Sequence, residues 1–297
     1  MQAEPAPQEP QARDSGKCRR APRVPTRVTR FGTSVSTPTG TTFAQGVAYE
    51  EKKFGELRSF RIFDPGLPTS AAWPIRKPHV RGRVVVTSFR AMPRDVLSGA
   101  YDAQMLDFFR SAPRTGKVFW SYFHEPEPRI DDGTFTAKEY IAAWRHLTGL
   151  ARRACHDNLF PTLILTGWTA HAASGRNWRT YYPGRRNISA IAFDPYNDFG
   201  NKEPTYLAPK EIIGPVVKVA RRAGKPWGIA EIGAELIPGD SGEGRAAWLT
   251  RVGRYLSRRG ALFATYFDVD NGGSFTLRDS QSQVSWRAWV RWKGREG

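Results

Sequence analysis

Apolar positions along the chain alternate between two textures. Short runs rich in Val, Ile and Phe occupy residues 30–36, 59–63, 84–89, 118–123, 162–166, 190–193, 227–230 and 262–267. Longer stretches with helical spacing lie between them, at 43–54, 101–110, 136–156, 209–223, 243–259 and 281–290. Near-continuous apolar runs suit strands buried on both faces, and their alternation with helices is the signature of repeated βα units around a parallel sheet. Thr136 with Glu139 three residues later predicts a capping box at the start of one helix. The connections 64–83 and 167–187 carry no clear helical pattern, and long irregular connections of this kind usually carry function. Eight strands with crossover connections predict an α/β fold, a closed (β/α)8 TIM barrel whose active site lies where the C-terminal strand ends meet. An open doubly wound sheet with a dinucleotide site would place Gly-x-Gly-x-x-Gly after the first strand. That strand runs instead into Thr37-Pro38-Thr39-Gly40.

Residues 1–30 hold five Pro and six Arg with almost no apolar periodicity, which predicts an extended basic arm ahead of a single catalytic barrel over 31–297. No apolar run approaches the roughly 18 residues of a membrane span. The opening Met1-Gln2-Ala3-Glu4-Pro5 lacks the basic start and apolar stretch of a secretory signal, so the chain either never had one or is a mature form. Cys18 and Cys155 are the two cysteines. Barrel topology puts both toward the N-terminal face, and the stretch from Cys18 to Arg30 reaches about 40 Å when extended. A Cys18–Cys155 bridge would stabilise by roughly 4 to 5 kcal/mol in the chain-entropy model and would imply an oxidising compartment, hence secretion or the cell envelope. Two unpaired thiols are the alternative.

The net charge of +17, carried mostly by Arg, changes the picture in one respect. It predicts attraction to polyanions such as nucleic acid, acidic cell-wall polymers or anionic lipid, against the plainer reading of a solvated basic surface. No run of five Lys or Arg, zinc-finger spacing or aromatic ribonucleoprotein motif occurs, which argues against specific nucleic-acid recognition. Five scattered His with no close pair argue against a catalytic zinc. Asp268-Val269-Asp270-Asn271 faintly resembles a calcium loop but lacks its remaining ligands. No metal or cofactor is expected, and the protein is expected to be a monomer.

Two acids fall where a barrel enzyme does its chemistry: Glu125, in Phe123-His124-Glu125-Pro126 after the fourth strand, and Glu231, in Ile229-Ala230-Glu231-Ile232-Gly233 at the seventh. A carboxylate ending an apolar strand must be hydrated or paired, because burial alone raises its pKa or destabilises the fold. Two of them half a barrel apart, aimed at one mouth, point to paired acid–base chemistry. These segments, with Tyr181-Tyr182-Pro183-Gly184, Asp194-Pro195-Tyr196-Asn197 and Lys225-Pro226-Trp227-Gly228, occur in an order that resembles clan A glycoside hydrolases, most closely family 26, which includes β-mannanases. The resemblance extends from about Phe31 to Trp289. It implies a retaining mechanism, with Glu125 matching the acid/base and Glu231 the nucleophile, their carboxyls about 5 to 5.5 Å apart. By the same resemblance Arg61 and Tyr196 hydrogen-bond the nucleophile, and His124 contacts the sugar or holds Glu231. An ordinary pairing of Arg61 with Asp64 is the alternative.

Sugars present apolar C–H faces to aromatic rings and hydroxyls to polar groups. Trp168, directly after the fifth strand, is the leading subsite candidate, followed by Trp73 and Trp178 on the long connections, whereas Trp120 and Trp144 suit the core. Asp194, Tyr266 and Asp268, at strand ends, are further candidates for substrate contact. The eighth strand ends Tyr266-Phe267-Asp268 without the Trp frequent in clan A, which leaves the floor of the cleaving subsite open. The expected activity is hydrolysis of a β-linked polysaccharide or oligosaccharide, with mannan first and xylan, β-glucan or an acidic envelope glycan next. A catalytically silent carbohydrate-binding barrel and a basic polyanion binder are the rival readings.

Overall fold

The computed structural model describes residues 21–25, 28–38, 40–197, 203–271 and 273–294. Strands β1 (Arg30–Ser34), β2 (Ser59–Asp64), β3 (Val84–Phe89), β4 (Lys117–Tyr122), β5 (Leu159–Thr166) and β6 (Ala190–Asp194) pair in sequence order, all parallel. The ring then runs from β6 to β8 (Trp227–Ala234), to β9 (Phe263–Tyr266) and back to β1. These eight strands close the expected (β/α)8 barrel. A two-residue strand, β7 (Tyr196–Asn197), lies against the far end of β8 at Gly233 and Ala234.

Strand periodicity divides the apolar residues between two cores. Inward-facing Val84, Val86, Phe119, Phe160, Ile164 and Phe263 fill the barrel, with the Phe119 ring 4.7 Å from Phe263 and 5.1 Å from Phe160. Their neighbours point outward, so Trp120 stacks on Trp144 at 5.8 Å between sheet and helices. The close packing explains Gly228: a Cβ there would come within 2.6 Å of the Phe263 ring.

Helices α1 (Phe43–Phe54), α4 (Asp102–Arg110), α6 (Ala137–Ala154), α7 (Pro209–Ala223), α8 (Glu243–Arg259) and α9 (Ser280–Val290) follow the sequence pattern within a residue or two. Thr136 caps α6 as expected: Glu139 accepts from the Thr136 N–H at 2.7 Å and returns its own N–H to the Thr136 hydroxyl at 3.2 Å. The connection 64–83 is a correction, since it contains α2 (Ala72–Val80). Pro74 and Pro78 mask that helix in the sequence, yet the first falls in the opening turn, where a missing N–H is harmless. Likewise 167–187 holds three short 3-10 turns, Gly167–Ala170, Ala172–Ser174 and Trp178–Tyr181. Short helices α3 (Pro93–Leu97) and α5 (Glu127–Asp131) follow β3 and β4 and carry too few residues for a visible period.

The described part of the arm lies on the N-terminal face. Val24 is buried with the barrel-filling cluster, the Pro25 carbonyl accepts from Lys117 Nζ at 2.7 Å, and the Ala21 N–H reaches the Arg186 carbonyl at 3.4 Å. Cys155 caps α6 on this face in a left-handed conformation, with φ of 53°. Cys18 lies outside the described residues, and with it the expected bridge. Among the described residues no helix is long and apolar enough to cross a membrane.

Gly228→Ala should destabilise the fold by about 1–3 kcal/mol through overpacking against Phe263. Urea unfolding checks this, with a lowered midpoint at unchanged slope expected.

Candidate active site

Glu231 lies inside β8, not at its end. Pairing with β9 runs from Ile229↔Ala264 to Ile232↔Tyr266, so β8 carries one extra residue here, a bulge of the kind that re-aims a side chain. The carboxylate is 5% exposed and fully bonded. Arg61 on β2 donates to Oε1 from Nε at 3.2 Å and from Nη2 at 2.9 Å, and the Tyr196 hydroxyl donates to Oε2 at 2.5 Å. Arg61 is itself buried, and its Nη1 donates to the Ser88 hydroxyl at 2.8 Å and the Ile62 carbonyl at 3.2 Å. The guanidinium carbon sits 4.1 Å from the centre of the Phe63 ring. The alternative partner, Asp64, is taken by Arg76 at 2.6 and 3.0 Å. Burial and the Glu231 charge push the Tyr196 phenol far above its ordinary value, so it stays a proton donor. Its ring is held edge-on by Phe267 at 5.7 Å and tilted against Phe275 at 4.9 Å. Phe267 directly follows β9.

Glu125 follows β4 on a strained turn. Phe123 and Glu125 have φ of 44° and 52°, in the left-handed region that costs a non-glycine residue about 1–3 kcal/mol and persists only where the surroundings enforce it. Two backbone bonds enforce it here: Phe123 N–H to the Phe89 carbonyl at 2.8 Å, and Glu125 N–H to the Ile164 carbonyl at 3.1 Å. A third tie comes from Glu127, which the sequence reading overlooked. This fully buried carboxylate accepts three bonds at Oε1, from the Thr166 N–H at 2.9 Å, the Thr166 hydroxyl at 3.1 Å and the Thr169 hydroxyl at 2.6 Å. It fixes the turn bearing Trp168 to the turn bearing Glu125. The only sequence signal was a second acid two residues after the first.

Burial raises the Glu125 carboxyl to about 8, helped by the charges of Glu231 and Glu127 and opposed by Arg90 and Arg61. Glu125 is therefore a neutral acid at pH 7. It lines a cavity of about 440 Å³ with Trp168, His171, Asp194, Tyr196 and Glu203. Tyr196 lines this cavity while bonding Glu231, whose charge is among those that raise Glu125. Trp168 is 50% exposed on the wall and stacks on His171 at 5.6 Å.

The remaining candidates divide. His124 does not hold Glu231: its Nε2 lies 3.1 Å from Arg90 Nη2 and its ring packs on Phe63 at 5.6 Å. Burial, then Arg61 and Arg90, keep its pKa well below the ordinary value, so it is neutral and accepts from Arg90. Arg90, just after β3, is the other residue the sequence reading missed; nothing in its surroundings along the chain marks it. Asp194 forms part of the cavity wall, but both its carboxyl oxygens are shielded from solvent and have no hydrogen-bond partner among the described residues. Burial, then Glu231 and Glu125, hold it protonated well above the ordinary carboxyl value. Its carboxyl group is turned from solvent behind the cavity wall.

Four expectations for substrate contact are corrected. Trp73 is fully buried in α2, stacked on Phe108 at 5.2 Å. Trp178 is 6% exposed and packs edge-on against Tyr182. Tyr266 is buried with its hydroxyl on the Phe275 carbonyl at 2.8 Å. Asp268 is buried and committed to Lys53 and to the Leu277 N–H at 2.6 Å. Each large ring satisfies the core in preference to the cleft, and the aspartate is consumed in anchoring the segment after β9.

No protein-family model and no curated protein matches the chain. Solved structures do. The catalytic domain of the family 26 endo-β-1,4-mannanase of Bacillus sp. JAMB-750 is 15% identical, covering 89% of this chain and 85% of its own, with a TM-score of 0.59. The chain shares its barrel fold. A family 26 β-mannanase from Bacteroides ovatus is 13% identical over 89% and 88% of the two chains, with a TM-score of 0.57. A glucosidase from Croceicoccus marinus is 11% identical over 91% and 68%, with a TM-score of 0.61. These barrels are of the class that the sequence motifs resemble, and what the site does here rests on its own geometry.

Arg61→Met should cost about 3–5 kcal/mol by leaving Glu231 buried without its cation. Denaturant unfolding at pH 7 measures it, and a loss under about 1 kcal/mol, the range of an exposed pair, would contradict the buried pairing.

Proposed function

We propose that the protein is a retaining glycoside hydrolase acting on a β-linked polysaccharide or oligosaccharide. The observation that carries this reading is the contrast between two electrostatically coupled carboxyls, Glu231 charge-paired and accepting three hydrogen bonds, Glu125 raised to about 8. Environments that push two acids apart assign nucleophile and proton donor. In the first half-reaction, Glu231 attacks the anomeric carbon while Glu125 gives its proton to the departing glycosidic oxygen. The C–O bond breaks and a glycosyl ester on Glu231 forms. Esterification removes the negative charge that helps raise Glu125, so its pKa falls and it becomes a base. It then takes a proton from water, whose oxygen attacks the anomeric carbon and frees Glu231. Trp168 supplies a stacking wall for a neighbouring sugar.

Mannan is the first choice of glycan because two of the barrels described above are named as mannanases. Xylan and β-glucan complete the panel. A polymeric substrate of this kind suits an enzyme working outside the cell or in its envelope.

Reducing-end release from mannan, xylan and β-glucan should find a substrate, and NMR of the first product should show retained anomeric configuration. Because Glu125 must be protonated, kcat/KM should fall as pH rises through about 8. Glu125→Gln should lose about 10²–10⁴-fold on the polysaccharide, with partial recovery on aryl glycosides whose leaving group needs no proton. Full activity in Glu125→Gln, or an inverted product, would overturn the assignment.

A further inference from the structure

Basic side chains concentrate on one face of the barrel. In a (β/α)8 barrel, the ends of the helices and the connections into the next strand form the face opposite the mouth. Three helices end there in arginine pairs: Arg152 and Arg153 on α6, Arg221 and Arg222 on α7, and Arg258 and Arg259 on α8. A single cation per helix end offsets the macrodipole. Pairs exceed that, and the connections add Arg81 before β3, Arg185 and Arg186 before β6, and Lys225 before β8, whereas Arg83 is paired with Glu51 and Glu56. In all these helix-to-strand connections, Glu56 and Asp157 are the only acids among the described residues. The mouth lacks such a cluster: Glu125, Asp194 and Glu203 line its cavity, with the first two held protonated, and Glu231 is paired with Arg61.

The cations crowd one another. Lys225 Nζ donates to the Arg185 carbonyl at 2.8 Å, and Lys225 is lowered to about 8 by burial and then by Arg185. Burial and then Arg58 lower Arg30. The face is also concave: a hollow of about 660 Å³ is lined by Arg23, Val24, Arg185, Arg186, Gly224 and Lys225. Such crowding stores repulsion that a polyanion would relieve.

We propose that this face is a docking surface for an acidic polysaccharide bearing carboxylates on its sugar units, which would hold the enzyme with its mouth directed away from the anchor. A bilayer fits less well, because none of the exposed large apolar side chains among the described residues lies in these connections. A single-stranded nucleic acid fits less well for the same reason, as no exposed aromatic ring is there to stack a base. The hollow suits a threaded, hydrophilic chain. Choosing a polysaccharide among anionic polymers rests on the proposed function; the clustering of cations on this face does not.

The test uses the full chain and polygalacturonate, with mannan as the neutral control. One triple variant, Arg185→Glu, Arg186→Glu and Arg222→Glu, alters the basic face. A second, Arg94→Glu, Lys138→Glu and Lys210→Glu, makes the same change in net charge at exposed positions near the mouth. Binding to polygalacturonate should weaken steeply with salt, and should fall about ten-fold or more in the first variant but little in the second. Equal weakening by both would overturn the proposal in favour of net charge alone. So would binding confined to duplex DNA or to phosphatidylglycerol vesicles, measured in parallel. Hydrolysis of the neutral glycan by the first variant should be unchanged. Absence of hydrolysis in the wild type as well would defeat the enzymatic reading and leave the docking result standing.

Discussion

The buried pair of Arg61 and Glu231 is the constraint around which the mouth is built. Two ions removed from water each carry a penalty of several kcal/mol, which only close geometry and further hydrogen bonds can offset. The barrel provides both. β2 supplies the guanidinium, β3 supplies the Ser88 hydroxyl that takes its remaining donor, and the bulge in β8 turns the carboxylate toward them. Tyr196, clamped by Phe267 and Phe275, completes the second carboxylate oxygen. Residues of β2, β3 and β8, with Tyr196, are thereby tied to one acid, and its charge adds to burial in raising Glu125 and Asp194.

The turn after β4 depends on that arrangement less directly. Its left-handed residues are held by backbone bonds to β3 and β5, and Glu127 ties it to the turn carrying Trp168. Glu125 and Trp168 are therefore held as one piece, while Glu231 is fixed from the other side of the barrel. A rigid sheet below and short, cross-braced turns above are what a reaction needing two carboxyls at fixed spacing requires.

Much of this was legible in the sequence because buried parallel strands write themselves as continuous apolar runs and amphipathic helices as a 3.6-residue period. The bounds of α1, α7 and α8 are read directly. Where local chemistry broke the pattern, reading stopped short: β8 runs to Ala234, but Glu231 interrupts the apolar run and suggests an end at Ala230. Pro74 and Pro78 hide α2 in the same way. Glu125, Glu231, Arg61 and Tyr196 stood out because a charge or hydroxyl at a strand end needs a partner across the barrel. Trp73 and Trp178 on loop-like stretches, and Tyr266 at a strand end, misled, since an aromatic residue there looks the same whether it faces a sugar or the core. Arg90 and Glu127 were silent, because their importance comes from contacts to residues 34 and 39 positions away.

The central claim is that Glu231 is the atom donor to the anomeric carbon. Incubation with an activated 2-deoxy-2-fluoro-β-mannosyl or β-glucosyl donor, followed by peptide mass spectrometry, tests it most directly. The account predicts one glycosyl ester, on the peptide containing Glu231, with loss of activity in proportion to labelling. Labelling of Glu125 or of another carboxylate, or turnover of the donor with inverted configuration and no covalent adduct, would contradict it.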